Sequence, residues 1–188
     1  SLDLCNKRLS EGYTDELRRT LEKIQEAKTA LCAIGFYVES GEPLKIVVNA
    51  KESGCTGSFL AEHLRLSGIE CEFSDEDYLV LMLTPENDER DISLLLDAIK
   101  DAPRDASVRK SPPPLTEKRE RGISLRDAVL SSSETVPICC SLGRVCAETA
   151  VSCPPAVPVV ISGERITKED VALFEYYGIE KVKVVIER

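Results

Sequence analysis

The chain is short of the groups that most often carry chemistry. It has one histidine, His63, in 188 residues. Its eight cysteines, Cys5, Cys32, Cys55, Cys71, Cys139, Cys140, Cys146 and Cys153, include no C-x-x-C pair. A Cys/His zinc centre needs paired spacings and histidine ligands, so only a scattered all-cysteine site stays open. No signal-peptide pattern and no apolar run of membrane-spanning length occurs. The thiols therefore read as small packing residues of a reducing, cytoplasmic setting. Adjacent Cys139 and Cys140 are expected as buried filler rather than as a redox pair. An initiator methionine is also missing: SLDLCNKRLSEGY runs straight into a long helix, as expected of a piece excised from a larger protein. Positive charge is scarce as well. Lysine and arginine number 24 against 33 acidic residues, a net charge of -9. Phosphate binding needs clustered cations, so a nucleic-acid partner is not expected, and the acidity serves solubility.

What is present is a sizeable apolar fraction, 43%, enough for a core. Thr14 reads as an N-cap, and Leu17, Leu21, Ile24 and Leu31 keep a helical period to Gly35. LKIVVN (44–49) reads as a strand and KESGCTG as a turn. SFLAEHLRLSG reads as a helix with Phe59, Leu60 and Leu64 inward and His63 on a solvated face. IECEF (69–73) alternates like a strand, and YLVLMLT (78–84) reads as a buried one. Thr84-Pro85 predicts the start of a helix whose face is Ile92, Leu95, Leu96 and Ile99, packed on the sheet. The order is α-β-α-β-β-α.

Residues 101–122 break the pattern with alternating charges around a triple proline, the composition of an extended linker. Beyond it, Ser124 with Asp127 and Thr167 with Asp170 resemble capping boxes. SSSETVPI reads as irregular, CSLGRVCAETAV as a short helix or turn, VPVVI as a strand, and IEKVKVVIE as a half-exposed strand. The expected fold class is α/β (α+β): two small subdomains, each a short mixed sheet packed by helices, joined by a Pro-rich charged linker. The divisions are 1–102, 103–122 and 123–188.

The segment SCPPAVPVVISGERI (152–166) is stiff by construction. Pro154, Pro155 and Pro158 fix their own φ, hold 153–158 nearly straight and remove three backbone donors. The strand can begin only at Pro158 or just after. Gly163 permits a tight turn that projects Glu164 and Arg165 at its tip. Structurally this is a strap, a strand and a solvated turn. Functionally, the strap fixes the Glu164 carboxylate at the rim of a cavity.

Residues 134–166 resemble the C-terminal domain of the bacterial Orn/Lys/Arg decarboxylases. The resemblance rests on G-R-V-x-A-E at 143–148, C-P-P-x-V-P at 153–158 and G-E-R-I at 163–166. Residues 42–100 resemble the small subdomain that precedes it, through EPLKIVV, the G-x-T-G at 54–57, LRLSGIE and YLVLMLTP. The resemblance implies the C-terminal region of a pyridoxal-phosphate (PLP) enzyme of the aspartate aminotransferase fold type, a lyase that decarboxylates basic amino acids in polyamine metabolism. It implies a missing N-terminal PLP-binding domain as partner, a homo-oligomer and a basic amino acid substrate. The family's cofactor lysine lies in a Ser-x-His-Lys motif. Here His63 is followed by Leu64, so no cofactor and no catalytic residue is expected in this piece, which is inactive alone. Glu164 is the candidate substrate-binding residue, since a carboxylate pairs with a cationic side chain, and Glu148 is the weaker one. Lys45, Lys168 and Lys183 are expected on the solvated surface. The sequence departs from the family's Tyr-Pro-Pro-Gly-Ile-Pro, and from a proline before Gly-Glu, at Cys153, Ala156 and Ser162.

Three other readings are open. One is a stand-alone protein-interaction module without catalysis. A second rests on SETVPICCSLGRVCAE, which also resembles the opening of the molybdopterin-molybdotransferase family. The third is cysteine chemistry at Cys139, Cys140 or Cys153.

Overall fold

A computed structural model describes residues 2–108, 113–114, 119–148, 150–151 and 158–186. The chain divides into two compact units, Ser1–Lys110 and Ser111–Arg188. The α/β class with helices on small sheets holds, but the sheets are antiparallel rather than mixed: every strand pair in both units is antiparallel among the described residues.

The first unit opens with α1 (Leu2–Ser10) and α2 (Tyr13–Ala33). Thr14 is already helical, because Gly12, two residues earlier, turns the chain in the left-handed region and is the N-cap. Next come β1 (Tyr37–Glu39), β2 (Lys45–Asn49), the short α3 (Ala50–Ser53) and α4 (Gly57–Leu66). β3 (Phe73–Ser74), β4 (Tyr78–Met82) and α5 (Glu89–Lys100) complete it. The sheet order is β1-β2-β4-β3.

Alternation decides the faces. Ile46 and Val48 of β2 and Leu79 and Leu81 of β4 are buried, and they join Ile24 and Leu31 of α2, Leu60 and Leu64 of α4, and Leu95 and Ile99 of α5 in one core. The G-x-T-G stretch explains itself here. The Thr56 hydroxyl accepts from the Phe59 N–H at 3.1 Å and caps α4. Gly57 lies so close to the Tyr78 carbonyl that a Cβ would collide with it.

Several local expectations are corrected. β1 and α3 were not foreseen, and IECEF contributes only its last residue to β3. Phe59 is 42% exposed, because Leu60, Ala61 and Leu64 take the inward stripe. His63 is half-buried, and its Nε2 donates to the Ala98 carbonyl at 3.0 Å, joining α4 to α5. α5 starts after Asp88 rather than at Pro85, because Asn87 closes a turn onto Thr84 and Asp88 forms a capping box with Asp91. Arg104, assigned to the linker, lies over the Phe36 ring at 4.7 Å and donates to the Gly35 carbonyl.

The second unit holds α6 (Leu125–Leu130), β5 (Ser133–Pro137), β6 (Ala150–Val151), β7 (Pro158–Val160), α7 (Lys168–Tyr176) and β8 (Lys181–Val185). β5 pairs with β8, and β6 with β7. SSSETVPI is thus a strand where an irregular segment was expected. The β7 start at Pro158 is as expected, and so are the Ser124 and Thr167 caps. Val182 and Val184 face a core with Val136, Cys146, Val159, Val160, Ile166, Leu173 and Phe174. Cys153 and Ala156, with Pro154 and Pro155, lie outside the described residues.

Cys139 and Cys140 are exposed, not buried filler. They sit in a 3-10 turn, Ile138–Cys140, where Val136 and Ile138 take the positions against the core.

Leu79→Ala removes a fully buried side chain from the middle of the first sheet. Denaturant unfolding of the chain is expected to show a loss of about 2–5 kcal/mol, against less than about 0.5 kcal/mol for exposed Leu66→Ala.

Candidate functional site

Two of the three motif stretches, 143–148 and 163–166, lie side by side in the second unit, with 120–122 beside them, and C-P-P-x-V-P lies outside the described residues but for Pro158. Residues 163–166 form a ribbon between 120–122 and 143–146. The Arg165 N–H donates to the Glu120 carbonyl and the Gly122 N–H to that of Gly163, at 3.0 and 2.9 Å. On the other side Cys146 N–H donates to the Glu164 carbonyl at 2.8 Å and Ile166 N–H to that of Arg144 at 2.9 Å. So G-R-V-x-A-E and G-E-R-I are paired strips: Leu142 and Gly143 form a turn, as one of the two expected forms, and 144–146 is extended rather than helical. Ala147 N–H and Val185 N–H continue the pairing to β8.

The turn over 161–164 needs its glycine twice. Gly163 has φ 92°, and a Cβ there would meet the Ile123 carbonyl at 2.6 Å. The Glu164 N–H donates back to the Ile161 carbonyl at 3.2 Å, which fits a type II turn with Gly163 third. Ser162, one of the departures, is buried and its hydroxyl donates to the Ala147 carbonyl at 3.2 Å, a bond proline lacks.

Glu164 does not project from this turn. Its carboxylate folds back, accepts from the Ile161 N–H at 3.1 Å, and lies 3.7 Å from Nε of Arg119. Nη1 of Arg119 reaches Asp170 Oδ1 at 2.9 Å. The Asp170 side chain is fully buried, Arg119 is 14% exposed and Glu164 18%. Asp170 Oδ2 accepts from the N–H and the hydroxyl of Thr167, both at 2.9 Å, as the capping box of α7. Nη1 is enclosed with no hydrogen-bond partner, so charge rather than hydrogen-bond alignment carries its attraction to Asp170.

This group combines a residue read from the sequence, Glu164, a residue read only as a cap, Asp170, and one that was missed. Arg119 belongs to the charged run TEKRERG, where nothing distinguishes it from the neighbouring arginine at 121. Glu148 stands apart, 66% exposed and 3.4 Å from Lys183, in keeping with a local pair. Lys168 is exposed, Lys183 is 45% exposed, and Lys45 is 35% exposed beside Glu42. Lys28 was not singled out, yet it is buried and donates to the Glu42 carbonyl at 2.6 Å. Burial pushes its pKa down, and the Glu42 carboxylate opposes that. Among the described residues no cluster of three or more His, Cys, Asp or Glu could hold a metal, and no helix is long and apolar enough to cross a membrane.

This arrangement coincides with a family domain. Residues 118–182 match the family model described as Orn/Lys/Arg decarboxylase, C-terminal domain. Over most of its length the chain is similar to the C-terminal part of arginine decarboxylases. It is 28% identical over 190 residues to an arginine decarboxylase of Bacillus subtilis, covering 92% of this chain and 39% of that relative. It is 29% identical over 193 residues to one of Halalkalibacterium halodurans, covering 92% and 39%. In fold it matches the constitutive lysine decarboxylase of E. coli with TM-score 0.63 and 14% identity, over 92% of this chain and 41% of that one. The lysine decarboxylase of Francisella novicida gives 0.64 and 12%, over 92% and 40%. The chain therefore spans about two fifths of the length of the relatives it matches.

Arg119→Met leaves Asp170 buried without its counter-charge. Unfolding of the second unit is expected to shift by about 3–5 kcal/mol, whereas Glu164→Gln, which retains an acceptor for Ile161, costs about 1 kcal/mol or less.

Proposed function

We propose that the chain acts as the C-terminal region of a cytoplasmic, PLP-dependent decarboxylase of basic amino acids, and that it is inactive alone. In this reading residues 1–102 flank the cofactor cleft, 103–122 link, and 123–188 border the cleft mouth. The observation that carries it is the family match across the paired motif strips, on relatives more than twice as long.

Pyridoxal phosphate would be held by the PLP-binding part of the protein, its N-terminal partner. The residues in hand do not fit a cofactor lysine site. No Ser-x-His-Lys occurs, and the buried Lys28 is committed to the Glu42 carbonyl. No chemical step is assigned to this chain. Its contribution is to shape the mouth and to offer a carboxylate to the substrate's cationic side chain.

Glu164 is that carboxylate. It keeps a solvent-facing edge, and its contact to Arg119 is the longer of the two that the guanidinium makes, 3.7 Å against 2.9 Å to Asp170. Asp170 retains Arg119 when Glu164 turns toward a substrate ammonium or guanidinium. The exchange is thereby spared the cost of an uncompensated buried cation.

In the assembled decarboxylase, Glu164→Gln is expected to lower kcat/KM for a basic amino acid at least about tenfold, an effect of about 1.4 kcal/mol, mostly through KM. An unchanged kcat/KM removes the residue from substrate binding. The isolated chain, mixed with pyridoxal phosphate and treated with borohydride, is expected to give no stoichiometric lysine adduct. A single modified lysine in peptide maps contradicts the assignment of the cofactor site elsewhere.

One observation favours an interaction role in addition. α1 has no buried residue and exposes Leu2, Leu4 and Leu9 at 84%, 66% and 57%. Co-sedimentation with the PLP-binding part, lost on replacing these leucines by serine, would identify α1 as an element of that contact.

A further inference from the structure

Cys139 and Cys140 bring two exposed thiols together at the end of β5, with Sγ atoms 3.8 Å apart. Cysteine is among the most buried residue types, so two adjacent exposed ones are a departure. The turn that carries them is pinned. β5 is paired with β8 as far as Pro137 opposite Lys181. Ile138 N–H donates to the Glu180 carbonyl at 3.1 Å. The N–H and the hydroxyl of Ser141 both donate to the Ile138 carbonyl, at 3.0 and 2.7 Å.

The geometry disfavours a bond between the two sulfurs. Neighbouring Cα atoms are about 3.8 Å apart across a trans peptide, shorter than the roughly 4.4–6.8 Å of ordinary disulfides. A bridging centre has no such conflict. A pyramidal centre bonded to sulfur at about 2.3 Å brings the two sulfurs somewhat closer than the 3.8 Å seen here, a change these exposed side chains make by small rotations. The ligand count then selects the centre. No cluster of three or more metal-ligating groups exists among the described residues, so a metal ion that needs a full protein cage is not served. A thiophilic centre that brings its own remaining ligand is served by two thiols.

We propose that Cys139 and Cys140 form a dithiol site for trivalent organoarsenicals. The reacting form is R–As(OH)2. Each Sγ forms an As–S bond as one As–O bond breaks, and each thiol proton leaves with a hydroxyl as water. Two waters are released, arsenic stays trivalent, and no oxidant or reductant takes part. The site is separate from the Arg119, Glu164 and Asp170 group and does not depend on decarboxylase activity.

The test uses the reduced chain and phenylarsine oxide, read by intact mass and thiol titration. The expected result is one phenylarsenic per chain with two thiols lost. The adduct should survive excess 2-mercaptoethanol and be stripped by 2,3-dimercaptopropanol. Cys139→Ser and Cys140→Ser should each weaken capture at least roughly 100-fold, the loss of a linked second contact. Cys5→Ser and Cys32→Ser should leave it unchanged. Without any variant, bound arsenical should shield Cys139 and Cys140 from iodoacetamide while Cys5 and Cys32 remain labelled. Capture that is unchanged in Cys139→Ser, an adduct mapped to other cysteines, or no capture by the wild-type chain would overturn the proposal.

Discussion

One guanidinium held against a fully buried carboxylate orders the second unit. Arg119 arrives at the end of the charged, proline-rich stretch, and Asp170 sits inside the first turn of α7. Their attraction joins two segments about 50 residues apart in sequence. Neither group tolerates isolation. A buried carboxylate without its counter-charge is penalised by several kcal/mol, and a guanidinium in the same place fares no better. The chain at Arg119 is therefore fixed beside α7, next to the stretch whose backbone pairs with 163–166. Glu164 completes the set from the tip of the turn, with a longer contact and a partly open edge.

That arrangement turns a local curiosity, the run SGERI, into a mechanical element. Ser162 is fixed to the Ala147 carbonyl, Gly163 approaches the Ile123 carbonyl, and residues 163–166 bond to strips on both sides. A turn so constrained fixes the backbone that carries Glu164, while the carboxylate itself folds against the Ile161 N–H and Arg119. The first unit uses a different device. There an antiparallel sheet buries one face under helices, while Thr56 and Gly57 begin α4 where its backbone touches β4.

Much of this was legible in the sequence, and the failures have physical reasons. Some caps were legible, Ser124, Thr167 with Asp170 and the glycine stops at 35 and 178, because they depend on local hydrogen bonds, while α2 begins after Gly12 rather than Thr14 and α5 after Asp88 rather than at Pro85. Apolar strands such as LKIVVN and YLVLM were legible from their apolar runs, though β4 buries only alternate residues, Leu79 and Leu81, and leaves Met82 exposed. β5 was missed because three of its five residues, Glu134, Thr135 and Pro137, are exposed, and its order comes from β8 some 50 residues later. The extended strip 144–146 is buried at Val145 and Cys146, and was missed because its partners, 164–166 and β8, are distant in sequence. Cys139 and Cys140 were placed inside by composition, while the turn after Pro137 places them outside. Glu164 was expected to project from its turn, and its inward direction was not legible, since the Arg119 that draws it in is one cation in a run of several.

The central claim is that Arg119 and Asp170 are energetically one unit. A double-mutant cycle with Arg119→Met and Asp170→Asn, read by equilibrium unfolding of the second unit's transition, measures this directly. The account predicts a coupling of about 2 kcal/mol, with the double variant more stable than the two single effects summed would allow. Effects that add to within about 0.5 kcal/mol would contradict it, and would mean that backbone pairing alone holds the turn of Glu164 in place.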